Sequence, residues 1–198
     1  MAPFTLPGME EVEELREQVA GWVIPGFHSR AEVVEYAIEY AEDDGVLTDE
    51  QVTQLVDEVW QQRLREQQEW AEVTDADRFA AAFADLEAAG VVARMNFTCC
   101  QGCGASEIFD ERPADRESSA YTFFHQQDAE QLADNPAVVF LAYGAFDADE
   151  TTWETRAVEV GHQIVATLRT HDLPVTWSGT SGQRIQVGPL NWQRRLPV

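Results

Sequence analysis

The chain has 198 residues, of which 44% are hydrophobic, and a formal net charge of −23; all 13 basic residues are arginine. That balance argues against nucleic acid and anionic membrane surfaces as partners, because both are held by clustered cations that neutralise phosphates. No apolar run nears the ~20 residues of a membrane span, and the first eight residues lack the basic and long apolar regions of a signal peptide. A cytoplasmic protein is therefore expected. The acidity fits a solvated surface in an arginine- and alanine-rich chain, adaptation to high salt, or a face for a basic protein partner.

The charge is uneven. Residues 1–90 carry 22 acidic and five basic groups (net −17), whereas residues 91–198 carry 14 and eight (net −6). The pattern of apolar residues changes at the same place, which predicts a helical region over 1–90 and an α+β region over 91–198, either as one unit or as two closely packed subdomains.

Taken in order, Glu10 to Ala20 reads as a charged helix stopped by Gly21 and Pro25. Ser29-Arg-Ala-Glu32 and Thr48-Asp-Glu-Gln51 are capping boxes, in which a hydroxyl and a carboxylate or amide satisfy free backbone N–H groups. Behind the first, Val33, Val34, Ala37, Ile38 and Ala41 form one apolar stripe, closed by Gly45. Behind the second, Val52, Leu55, Val56, Val59, Trp60 and Leu64 form another. Thr74 opens a fourth helix, with Phe79, Ala82, Phe83 and Leu86 inward and Gly90 at its stop.

The second region alternates. Val91 to Phe97 predicts a strand running into the cysteines, residues 105–119 a polar excursion, and Tyr121 to His125 a strand. Asp128 to Ala133 predicts a short helix and Ala137 to Tyr143 a buried strand. Thr151-Thr-Trp-Glu154 reads as a third capping box, before a helix that buries Ala157, Val158, Gly161, Ile164, Val165 and Leu168. Pro174 to Ser178 and Arg184 to Val187 are strands joined by Gly179-Thr-Ser-Gly182. The expected fold class is α+β, with a small mixed sheet carrying helices on one face.

All three cysteines fall in Cys99-Cys100-Gln-Gly-Cys103-Gly104. Cys100 and Cys103 have the spacing of a zinc knuckle, whose thiolates converge on one ion at about 2.3 Å. A tetrahedral site needs four ligands, and there is no second Cys-x-x-Cys. Cys99 is the candidate third ligand and His125 the candidate outside ligand, with Asp128 and Glu130 at the edge of the site. Redox use normally places such a pair at a helix start, and Gly102 and Gly104 weaken a helix here. A cysteine nucleophile needs a base, for which His125 or His162 could serve. Reduced cysteines in a turn, and an Asp128 that only caps its helix, are the plainer alternatives.

Asn96-Phe-Thr-Cys-Cys-Gln-Gly-Cys-Gly, Phe123-Phe-His-Gln-Gln-Asp-Ala-Glu, Leu141-Ala-Tyr-Gly and Arg184-Ile-Gln-Val with Trp192 together resemble an uncharacterised family of actinobacterial proteins, a domain of unknown function. The resemblance runs from about Gly21 onward and implies no activity and no catalytic residue. The expectation is thus a non-enzymatic acidic protein that binds a partner and carries zinc at Cys99, Cys100, Cys103 and His125. The alternative is a small metal- or thiol-dependent enzyme, with its site between Cys99–Cys103 and His125–Glu130. A winged-helix arrangement near Gly90 is disfavoured by the acidity of residues 1–90.

Overall fold

The structure, a computed structural model, describes residues 9–42, 47–115 and 117–197. Gly45 and the Asp43–Asp44 pair lie outside these residues. The fold is α+β, with seven α-helices and one five-stranded mixed sheet among the described residues. The chain divides into two compact units, Met1–Glu72 with Gln193–Val198, and Val73–Trp192. The division thus falls before the fourth helix rather than at Gly90. That helix packs on the first strand, so it belongs with the sheet.

The first unit contains α1 (Met9–Val23), α2 (Arg30–Glu42) and α3 (Asp49–Glu66). Both expected capping boxes form. Ser29 N–H donates to Glu32 at 2.7 Å and Glu32 N–H to Ser29 Oγ at 3.3 Å. Thr48 and Gln51 exchange the equivalent pair. Helix α1 continues through Gly21 to Val23. One helical glycine costs about 1 kcal/mol, and burying Val23, which is fully enclosed, offsets it. Leu15, Val19, Val33, Ala37, Val52, Val56 and Trp60 form the core, and Leu196 from the far end of the chain joins them. The Leu196 N–H donates to Gln67 Oε1 at 2.8 Å, and Arg194 lies over Phe27 and donates to the Gly26 carbonyl.

The second unit runs α4 (Asp75–Ala88), β1 (Val91–Arg94), α5 (Gln101–Glu107), β2 (Ala120–Phe123), α6 (Gln126–Glu130), β3 (Ala137–Ala145), α7 (Trp153–Thr170), β4 (Val175–Thr176) and β5 (Ile185–Leu190). The sheet order is β1-β2-β3-β5-β4. Only β1 and β2 are parallel; the other pairs are antiparallel. Helices α4 and α7 pack on the sheet and on each other, with Phe79 and Phe83 edge-on to Phe124.

Two local readings are corrected. The tract from residue 105 was expected to be a polar excursion, yet its start is the second half of α5. Ile108, fully buried, anchors that helix against Val92, Phe123 and Ala142. The register pairs Arg94 with Phe123 and Phe123 with Ala142, so these positions share one sheet face. The third capping box does not form. Asp149 instead accepts from the Thr151 and Thr152 hydroxyls and N–H groups, and the Thr151 hydroxyl, followed by the Thr151 N–H and the Thr152 hydroxyl, holds its carboxyl down at about 2.

If the C-terminal segment is an integral part of the helical unit, Leu196→Ala will cost about 2–3 kcal/mol. Denaturant unfolding measures this, and a loss below about 0.5 kcal/mol would mean that the segment merely rests on the surface.

Candidate metal centre

Strand β1 ends at Arg94, and the next turn is unusual. Asn96 and Thr98 have φ of 52° and 58°, a left-handed region that is strained for a β-branched residue such as threonine. The turn is fixed by backbone bonds to the strand beside it. Phe97 N–H donates to the Phe124 carbonyl at 2.9 Å, and Gln126 N–H to the Thr98 carbonyl at 3.0 Å. The chain therefore delivers the cysteines beside the C-terminal end of β2.

Cys100 then becomes the N-cap of α5, in extended conformation. The glycines were expected to weaken a helix here. The helix forms because Gly104 lets it lie directly on β2: a Cβ on Gly104 would sit 2.7 Å from Phe123 Cζ, a separation real side chains do not adopt. Gly102, by contrast, faces open space. The Cys-x-x-Cys-Gly pattern thus combines two functions, and only the final glycine is required by packing.

The three sulfurs are gathered with all separations within 4.8 Å, and Cys99 and Cys103 are 3.5 Å apart. Three ligands of a tetrahedral zinc with bonds of about 2.3 Å stand about 3.8 Å apart. The cluster therefore has the spacing of three corners of such a site and could hold a metal ion. None of the three is in a disulfide; Cys99 is exposed, and Cys100 and Cys103 are half-buried. The Cys103 N–H, followed by the Cys103 and Cys99 thiols and the Gly102 N–H, lowers the Cys100 thiol below its ordinary value. Cys103 is pushed up to about 11 by its hydrogen bonds to Cys99 and then Cys100 and by their charge. The first thiolate is thus favoured at Cys100, and a further one at Cys103 is opposed unless a cation offsets the charge.

His125 is not grouped with these sulfurs. Its Nδ1 accepts from the Asp128 N–H at 3.2 Å, and its Nε2 lies 3.0 Å from Asp128 Oδ2. This places the ring proton on Nε2 and leaves no lone pair for a metal. His125, rather than Asp128, is the N-cap of α6. Asp128 is nearly fully buried and pairs with Arg184, whose Nη2 also donates to the Phe140 carbonyl. Glu130 is exposed at the end of α6. The expected site edge is therefore a buried His125–Asp128–Arg184 cluster. Arg184 is the residue that sequence reasoning missed; its only signal was an isolated cation preceding a strand in an acidic chain.

Burial lowers the His125 imidazole below its ordinary value; the Asp128 charge opposes this and the Arg184 charge adds to it. The unfolded chain binds that proton more readily, so stability declines as pH falls through about 6.5 toward the lower folded value. His125→Asn retains a capping acceptor. It is expected to shrink the stability loss between pH 7.5 and 5.5 measured by urea unfolding, whereas an unchanged loss would assign it elsewhere. The two glycines give a sharper comparison. Gly104→Ala should cost about 1–3 kcal/mol through overpacking, and Gly102→Ala should be neutral or stabilising by up to about 1 kcal/mol. Equal effects in thermal unfolding would contradict the packing of α5 on Phe123.

No curated protein and no solved structure matches the chain. A family model does, over residues 9–196, so the match includes α1 as well as the region from Gly21 onward. The cysteine cluster, His125 and most of both structural units thus lie within the match, and the chain belongs to the family described as a domain of unknown function, DUF6891.

Proposed function

We propose that the protein binds a zinc ion through Cys99, Cys100 and Cys103, and acts as an acidic, cytoplasmic, non-enzymatic binding protein for a basic partner. The observation that carries this reading is the approach of three sulfurs to within 4.8 Å of one another. No arginine is among the groups acting on Cys100 or Cys103. A divalent ion would offset the mutual repulsion that three thiolates at this spacing would have. His125 is spent on Asp128, so the fourth position falls to water or to a group brought by the partner. A partner's ligand would close the site as a structural zinc is closed, whereas water there would leave the open position that a metal-dependent enzyme uses. No described helix is long and apolar enough to cross a membrane, and the net charge of −23 supports a basic partner.

A second reading, thiol-dependent chemistry, is favoured by Cys100, whose sulfur receives backbone N–H groups at the start of α5. It would have to proceed without His125 as base.

Untagged protein purified without chelator is expected to contain one zinc per chain by elemental analysis. Cys99→Ser, Cys100→Ser and Cys103→Ser should each weaken zinc binding more than about 100-fold in competition with a chromophoric chelator. Folded protein that takes up no zinc at micromolar concentration would overturn the metal reading. Rapid alkylation confined to Cys100 in that metal-free protein would favour the second.

A further inference from the structure

The second unit has a pocket of about 170 Å³ between α5, the β2–β3 strands and the segment leading to β5. Its wall includes Gln101 and Ala105 of α5, Tyr121, Tyr143, Ser181 and Arg184. The wall is fixed before any ligand arrives. The Tyr143 hydroxyl lies 2.9 Å from the Thr180 carbonyl and 3.0 Å from that of Gln183, and accepts from Trp177 Nε1 at 3.1 Å. Trp177 in turn sits over Gly161 of α7, where a Cβ would be only 2.5 Å from the indole.

In a chain of net charge −23, the one charged side chain of this wall is a cation, Arg184. Its Nη2 is taken by Asp128 and the Phe140 carbonyl, and its Nε is buried without a partner. The side chain remains 26% exposed. Nη1 makes no hydrogen bond among the described residues, which leaves it as the guanidinium nitrogen free to meet a ligand. Asp128 balances the single charge of Arg184, so the site offers a directed N–H rather than net positive charge, which suits a monoanionic carboxylate better than a phosphate dianion. The volume equals about six waters at ~30 Å³ each, and the half-buried ring of Tyr121 offers flat apolar surface.

We propose that this pocket binds a small planar monocarboxylate, with its carboxylate on Arg184 Nη1 and its ring against Tyr121. This does not depend on a metal at the cysteines, although α5 serves both places: Gln101 follows Cys100 directly.

Benzoate is the probe, titrated by calorimetry and by amide shifts at Gly182 and Gln183, into protein with and without zinc. Half-saturation is expected near 1 mM, about the strength of a few good contacts, in both preparations. Benzamide, of the same shape but without charge, should bind at least about tenfold more weakly. Ala105→Phe, at an exposed position of α5, should fill the pocket and weaken benzoate by a similar factor while leaving the thermal midpoint within about 2 °C. Benzamide binding as well as benzoate, no saturation by ~20 mM, or undiminished benzoate binding in folded Ala105→Phe would overturn the assignment. The benzoate–benzamide comparison decides it even if that variant fails to fold.

Discussion

The sheet unit is organised around one buried carboxylate. Asp128 is 3% exposed, and an isolated charge at that depth would cost several kcal/mol. It is tolerated because His125 and Arg184 both meet it. Those partners come from the end of β2 and the start of β5, and Arg184 also reaches the Phe140 carbonyl in β3. Strands β2, β3 and β5 are therefore tied at one point. Removing Asp128 would leave a guanidinium half buried, and removing Arg184 would leave the carboxylate alone, so the cluster constrains register as well as stability.

The cysteine cluster depends on this frame at one remove. Thr98 and Gln126 join the cysteine turn to the first residue of α6, and α6 is the helix that His125 and Asp128 cap together. On the other side, α5 is seated on Phe123 through Gly104, and Phe123 belongs to β2. The sulfurs are thus held at both ends by the same strand. That arrangement explains how three exposed or half-exposed thiols stay together without a disulfide, and why their spacing is a property of the sheet rather than of a free loop.

What the sequence disclosed was mostly local. The Ser29 and Thr48 boxes, the helix opened by Thr74 and the buried run at Ala137 are patterns within a few residues, and each formed. Long-range relations were hidden. The parallel β1–β2 pair and the return of Leu196 to the helical core leave no periodic trace. Helix α5 contradicts the propensity of two glycines, because packing on Phe123 requires one of them. The pairing of His125 with Asp128 was equally illegible: the spacing of three fits a metal ligand beside its site edge and a capping box alike, and only the direction of the ring separates them.

Electrostatics joins the two candidate sites while giving them opposite needs. At the cysteines, close sulfurs push Cys103 up to about 11; a metal ion held there would have to expel the protons that the thiols keep. Fifty-six residues further along from Asp128, Arg184 has the reverse condition. Its charge is balanced by that buried partner, so the wall it lines is near neutral within a strongly acidic chain, and geometry rather than bulk potential selects what it holds. The acidic surface concentrates cations around the molecule and repels small anions. A carboxylate must therefore be bound by directed hydrogen bonds from Nη1 and by its ring, while a metal ion is drawn by the field as well as by its ligands. Salt should separate the two, because screening weakens the long-range attraction of the cation and also relieves the long-range repulsion of the anion.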